Sequence, residues 1–236
     1  MKENGLLRKA VKATLPVMAG YLVLGIGFGM VLNAKGYGVV WAAAMSLFIY
    51  AGSLQFVAVN LLTGGASFLT TAVTSLLVNA RHLFYGISMI DRYKGAGKAK
   101  PYLIFSLTDE TYSLLSADPS ADAMPDRERK RYYLAVSLLD QCYWVTGSVL
   151  GSLLGALLSF NTSGIDFALT ALFLTLTVDQ WRSGKHHAVT LVGLAASLIC
   201  LLIFGPDSFL IPAMAAILAA VFLIRKQEEE VTAREP

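Results

Sequence analysis

The sequence predicts an all-α, polytopic membrane-embedded helix bundle, and three observations carry that reading. Of the 236 residues, 56% are hydrophobic and only 15% charged, where a soluble domain carries about a quarter. The mean hydropathy is +0.60, so lipid must solvate much of the chain. The charges are segregated into stretches at 2–12, 91–100, 118–131, 179–185 and 225–235, with long apolar runs between them. Those runs show no alternating ten-residue strands of the kind that build membrane barrels.

A span needs roughly 20 predominantly apolar residues to cross about 30 Å of hydrocarbon. Residues 14–33 are uncharged and fit one span. The basic stretch before them resembles the start of a signal peptide, but the apolar run is too long for one, so it reads as a retained helix. Residues 36–80 suffice for two spans turning at Thr63-Gly64-Gly65, and 83–90 extend the second past Arg81 and His82. Residues 101–116 are short for a span and carry Asp109-Glu110. Residues 133–160 form a long span interrupted by Asp140, and 167–178, 188–204 and 209–224 complete seven or eight transmembrane segments. Cys142 and Cys200 lie within apolar runs and read as small packing residues.

The excess of lysine and arginine orients the bundle. Both termini are expected in the cytoplasm, with the chain multi-pass in the cell (inner) membrane; the net charge of +3 then reflects cytoplasmic loops, not nucleic-acid binding. The first half resists this scheme. Three crossings would leave Arg92, Lys94, Lys98 and Lys100 outside, unless one segment between 36 and 90 is broken or re-entrant. Irregular backbone at membrane depth must line a cavity or be buried in protein.

Shifting the chain by 126 positions places Gly25 on Gly151, Gly29 on Gly155 and Gly38 on Gly164, with Trp41 on Phe167 and Ala42 on Ala168. This predicts a single membrane domain over 1–236: a first repeat at 1–116, a linker at 117–131, a second repeat at 132–226 and a polar tail at 227–236. Small residues four apart let helix backbones approach closely in lipid.

Polar residues within the apolar runs are the functional candidates. Ser53 and Gln55, beside Gly52, would either contact a ligand or hydrogen-bond between helices. Asn79, Arg81, His82 and Tyr85 form the second cluster. A span arginine costs about 2.5–3.5 kcal/mol at the helix centre, so Arg81 must pair, face a wet cavity, or anchor at the interface. His82 has the chemistry for a proton-coupled step. Asp109 and Glu110 would neutralise Arg81, bind an amino group or carry a proton, or else lie in a surface loop. Asp140-Gln141 and Asp179-Gln180 are further acidic-amide pairs, with Asp140 inside the membrane. The sequence has no phosphate-binding loop, His-Glu-x-x-His zinc site or nucleophile elbow, and the adjacent His186 and His187 point to different faces. A non-enzymatic chain without metal or cofactor is expected.

The stretches Tyr50-Ala51-Gly52-Ser53-Leu54-Gln55-Phe56, Asn79-Ala80-Arg81-His82-Leu83-Phe84-Tyr85-Gly86 and Thr108-Asp109-Glu110-Thr111-Tyr112 together resemble the AzlC family, as does Tyr143-Trp144-Val145-Thr146-Gly147 with Gly151 and Gly155. The resemblance covers nearly the whole chain. It implies the large permease subunit of a branched-chain amino acid exporter, moving valine, leucine, isoleucine and often methionine on the proton gradient. It also implies a small AzlD-type membrane subunit as partner. On that footing Gln55 and Ser53 would contact the substrate's polar head, Arg81 its carboxylate, and Asp109 or Glu110 its ammonium or a coupled proton. The rival readings are a substrate-binding subunit driven by a separate motor protein, and a membrane enzyme using Asp109, Glu110 and His82 as acid-base groups.

Overall fold

The computed structural model describes residues 3–116, 118–157 and 187–205, with positions 174, 178, 181–182, 209, 212–213, 215–217 and 219–220. The loop at 161–166, Asp179-Gln180, His186, the tail and the repeat partners Gly164, Phe167 and Ala168 lie outside them, as do most of the spans expected at 167–178 and 209–224. Every regular element among the described residues is helical. The chain divides into two compact units, Met1–Ser67 with Asn79–Thr162 and Phe68–Val78 with Ser163–Pro236.

The first unit is organised by two helices of 32 residues, α1 (Glu3–Ala34) and α9 (Asp126–Leu157). Within α1, Gly5–Ala34 is the one helix among the described residues long and apolar enough to cross a membrane. The two helices run parallel. Lys9 Nζ sits 4.8 Å above the Tyr132 ring, Thr14 Oγ1 lies 3.2 Å from Tyr143 Oη, and Gly25 and Gly29 meet Gly147 and Gly151 further along. Both basic stretches, Arg8–Lys12 and Arg127–Arg131, therefore lie at one end, here termed the basic end.

The approach of α1 to α9 depends on missing side chains. A Cβ on Gly29 would lie 2.0 Å from the Ser148 carbonyl oxygen, and one on Gly151 would lie 2.1 Å from that of Ile26. These are backbone atoms that no rotamer change can move. Without a hydrophobic drive between helices in lipid, such close van der Waals packing is what holds them together.

Two helical hairpins fill the flanks. α2 (Val39–Phe48) returns from the far end of α1 to mid-length of α9, where the Leu47 carbonyl accepts from Gln141 Nε2 at 3.1 Å. The helix stops at Ile49–Ala51, with Tyr50 at φ +43°. α3 (Gly52–Thr63) then turns back toward the far end, with Gly52 against Trp144 and Phe56 5.5 Å from Phe28. The turn at Thr63-Gly64-Gly65 falls where the sequence places it, with Gly65 at φ +62°. After the second unit's α4 (Phe68–Val78), the chain re-enters the first at Asn79 and continues as α5 (Ala80–Met89). The stretch 36–80, long enough for two spans, is thus a series of shorter helices.

The second hairpin rises from the basic end. α6 (Lys100–Phe105) reaches Gln141, whose Oε1 accepts from Tyr102 Oη at 2.7 Å; α7 (Asp109–Ser116) descends again beside α5. Arg92 donates to the Leu115 carbonyl oxygen and to Tyr133 Oη, at 2.9 and 3.2 Å, and pairs with Asp122 at 2.9 Å. A cation thereby closes the C-terminus of α7. This places the 91–99 loop against the start of α9, at the same end as the other basic stretches. A short helix, α8 (Pro119–Asp122), is capped by the Asp118 side chain and its Pro at the first position. Burial alone would raise the Asp118 carboxyl, but hydrogen bonds from Ser120 and Tyr132 and the Lys9 charge hold it below its ordinary range. Beneath these groups lies an apolar cluster that includes Met89, Tyr93, Leu103, Leu115, Tyr133 and Val136. α9 begins at Asp126, within the stretch expected as a linker.

In the second unit, α4 and α10 (His187–Phe204) expose their apolar side chains, Phe68 at 90% and Leu202 at 85%. Surfaces of that kind need lipid or protein cover.

Gly29→Ala or Gly151→Ala is expected to lower the stability of the chain in detergent by about 1–3 kcal/mol or to abolish folding. Gly27→Ala, whose Cβ would meet nothing within 4 Å, should behave as the parent in the same thermal melts. Equal melting of all three would refute the close-packing account.

Candidate functional site

Three helix starts converge at mid-length of α9: Gly52 of α3, Ala80 of α5 and Asp109 of α7. Each follows a break in the helical backbone, and the polar residues of the sequence cluster there because the breaks bring them together. Arg81, in the first turn of α5, donates to Ser53 Oγ at 2.9 Å and pairs with Asp109 at 2.8 Å. The helix field disfavours a cation at its own N-terminus and favours an anion there. Asp109 therefore gains from α7, while Arg81 is held by its partners alone.

The starts of α3 and α5 are not capped by side chains: Ala51 has no side chain able to cap, and Asn79 makes no capping bond. Their first amide N–H groups lie where Ser53 and Arg81 meet. Asn79 Oδ1 and Arg81 Nε around them also lack partners, while His82 and Asp109 lie within reach of the Asn79 backbone and the Tyr85 hydroxyl without bonds of ordinary geometry at Nδ1 and Oδ1. Buried polar atoms are nearly always satisfied, so a cluster of exceptions marks a place for a polar ligand or water. Next to it, Tyr85 stacks on Tyr112 at 4.4 Å and His82 meets the Tyr85 ring edge at 5.8 Å.

Gln55 is fully buried and already engaged, donating to Ser46 Oγ at 3.3 Å and accepting from Trp144 Nε1 at 2.9 Å. The interhelical hydrogen bond, one of the two sequence readings, is present. Trp144 stands between Tyr21 and Phe28 of α1, with centroids at 5.4 and 6.2 Å. A Cβ on Gly52 would meet its ring at 3.1 Å, which explains the glycine.

Glu110 and Asp140 lie on the other side of α7. Tyr21 Oη donates to Glu110 Oε2 at 2.7 Å and lies 2.7 Å from Thr108 Oγ1. Asp140, wholly buried, accepts from Thr111 Oγ1 at 2.8 Å. The site residues thus fall into two groups, Ser53, Asn79, Arg81, His82, Tyr85 and Asp109 around the helix starts, and Glu110 with Asp140 behind them. Sequence reasoning does not single out Tyr21, Ser46, Tyr50 or Trp144 as site residues, and it takes Thr108 and Thr111 only as members of the polar stretch that holds Asp109 and Glu110. For Tyr21 and Ser46 the signal was a lone hydroxyl in an apolar run. Tyr50 sits at the break and is 3% exposed. It faces Tyr21 without a hydrogen bond of ordinary geometry.

Comparison with known proteins returns the AzlC protein family over residues 16–158. The chain is 41% identical to the branched-chain amino acid transport protein AzlC of Bacillus subtilis over 223 residues, 94% of this chain and 87% of that protein. It is 40% identical to an uncharacterized membrane protein of Haemophilus influenzae over 216 residues, 89% of this chain and 87% of the other. It is 28% identical to the inner membrane protein YgaZ of Escherichia coli over 193 residues, 78% of each. No solved structure matches it.

Gln55→Ala leaves the indole N–H of Trp144 buried without an acceptor, a cost of about 1–3 kcal/mol. A lower thermal midpoint in detergent is the expected result. An unchanged midpoint would show that water replaces the amide and that Gln55 does not anchor α3.

Proposed function

The chain belongs to the AzlC family, and from that premise we propose that it exports branched-chain amino acids across the inner membrane. The substrates are valine, leucine, isoleucine and methionine, the driving force is the proton gradient, and a small AzlD-type subunit is the partner. The observation that carries this reading is the Arg81–Asp109 pair beside two uncapped helix starts. An amino acid is a zwitterion and can exchange with an ion pair without leaving a charge unmatched. Its carboxylate would take Arg81, Ser53 and the N–H groups of α3 and α5, as anions do at helix N-termini. Its ammonium would take Asp109. An apolar lining discriminates only about 1–3 kcal/mol per methylene, so overlapping substrates follow.

The hairpins also support a topology. With the basic end cytoplasmic, α1 crosses outward, α2–α3 forms a re-entrant hairpin from outside, and residues 66–90 return to the cytoplasm. α6–α7 is then a second re-entrant hairpin from inside, and α9 crosses outward. Arg92, Lys94, Lys98 and Lys100 fall on the cytoplasmic side as the positive-inside rule requires. The seven or eight apolar segments then make fewer crossings than their number. Gly25 and Gly29 of α1 and Gly151 and Gly155 of α9 keep the same four-residue spacing in two helices of equal length, which supports the repeat.

Cells fed a dipeptide load should accumulate less valine, leucine, isoleucine and methionine only when this chain and its small subunit are both present. Arg81→Ala should abolish that relief while remaining in the membrane, and normal export by this variant would remove Arg81 from the site. A cysteine at Lys98 should react with an impermeant maleimide only in inverted vesicles and one at Gly64 only in intact cells. The reverse pattern would overturn the topology.

A further inference from the structure

Glu110 and Asp140 are joined by an unbroken line of hydroxyls. Tyr21 Oη is 2.7 Å from both Glu110 Oε2 and Thr108 Oγ1, Thr108 Oγ1 is 3.1 Å from Thr111 Oγ1, and Thr111 Oγ1 is 2.8 Å from Asp140 Oδ2. The line is dry: Tyr21, Thr108, Thr111 and Asp140 are all less than a tenth exposed. Four contacts need four hydrogens, and the three hydroxyls supply three. The fourth must come from a carboxyl group. With both acids ionised, one oxygen–oxygen contact in the line would have no hydrogen in it; a second carboxyl hydrogen would have no place in the line and would sit on an outer oxygen, of which Asp140 Oδ1 is buried without a partner. Thr108 Oγ1 also accepts from the Thr111 backbone N–H at 3.3 Å, which leaves it one further acceptor position and keeps the line directional. Neither acid is in an ion pair among the described residues.

We infer that Glu110 and Asp140 hold one proton between them and relay it through Tyr21, Thr108 and Thr111. In one state the Glu110 carboxyl donates to Tyr21, Tyr21 to Thr108, Thr108 to Thr111 and Thr111 to the Asp140 carboxylate. Transfer breaks the Glu110 O–H bond and makes the Asp140 O–H bond, while each hydroxyl accepts one hydrogen and passes on its own. Charge is conserved and one negative charge moves from Asp140 to Glu110. The groups facing Glu110 are Arg81, Asp109 and Tyr50, and those around Asp140 are Tyr50, Tyr102 and Tyr132. Arg81, the cation among them, is engaged by Asp109. Glu110 adjoins the Arg81–Asp109 pair and is half-buried, whereas Asp140 is sealed. An ammonium group arriving at Asp109 favours a negative Glu110 and so drives the proton to Asp140. That coupling role rests on the transport reading; the shared proton rests on the geometry alone.

Infrared spectroscopy of the full chain in lipid vesicles tests the proton directly, through the C=O stretch that a protonated carboxyl has and a carboxylate lacks. One such group per chain is expected at neutral pH, altered in Asp140→Asn and in Glu110→Gln and absent from the double variant. No signal, or a signal of two groups, overturns the shared proton. Tyr21→Phe keeps the ring against Trp144 and cuts the line. In vesicles that also hold the small subunit, exchange of labelled leucine should survive in this variant, while accumulation driven by a pH gradient falls on the order of 100-fold. Undiminished accumulation overturns the relay, and so does loss of exchange together with accumulation in both Tyr21→Phe and Thr111→Val. If the parent chain together with its small subunit moves no amino acid at all, the transport reading fails and the infrared result still decides the proton.

Discussion

The backbone contact between α1 and α9 is the constraint on which the rest of the first unit depends. Two parallel helices whose glycines touch leave no room for side chains between them along half their length. The remaining side chains are therefore displaced to the flanks. Thr14, Tyr21 and Phe28 on α1, and Asp140, Gln141, Trp144 and Ser148 on α9, line the two grooves beside the contact. Those grooves receive the hairpins. Trp144 locks α3 through Gln55, and Gln141 grips both α2 and α6 through Leu47 and Tyr102.

The depth of the hairpins determines where the chemistry sits. A helix that stops half-way leaves amide groups unpaired, and in an apolar medium these must be met by something. At the start of α7 that something is the Thr108 hydroxyl, which accepts from the Thr111 N–H; at the starts of α3 and α5 it is the space beside Arg81. The strained Tyr50 fits the same scheme. Left-handed backbone at an aromatic residue costs of order 1–3 kcal/mol, and it is tolerated where it lets α2 end at the level of Gln141.

Much of this was legible in the sequence, and what was not follows a pattern. The apolar runs, the turn at Thr63-Gly64-Gly65 and the exceptional status of Ser53, Arg81 and Asp109 are all readable, because charge and glycine in a lipid-facing sequence are costly and conspicuous. The conflict over Arg92 and its neighbouring lysines leaves two ways out, an exceptional loop or a broken or re-entrant segment between 36 and 90, and hydropathy does not choose between them. The positions of the breaks were not readable, since a bend at Tyr50 or Asn79 changes no hydropathy. Nor was the company each acid keeps. Asp109 and Glu110 are neighbours in sequence, yet one faces Arg81 and the other Tyr21. A single tyrosine such as Tyr21 in an apolar helix reads as packing, and only tertiary structure places it between Glu110 and Thr108.

The division of the hydroxyl line between fixed and hinged parts has a consequence for proton transfer. Tyr21 and Asp140 belong to the glycine-locked pair of long helices, while Thr108 and Thr111 sit at the tip of a hairpin anchored at the other end. Oxygen–oxygen hydrogen bonds span only about 2.5–3.0 Å, so a displacement of the tip by about 1 Å disconnects the line at Glu110–Tyr21, Tyr21–Thr108 and Thr111–Asp140 together. The hairpin then works as a clutch. On the relay inferred above, a proton passes between Glu110 and Asp140 only while the hairpin is engaged, so the same contact that holds the tip sets whether the two acids communicate.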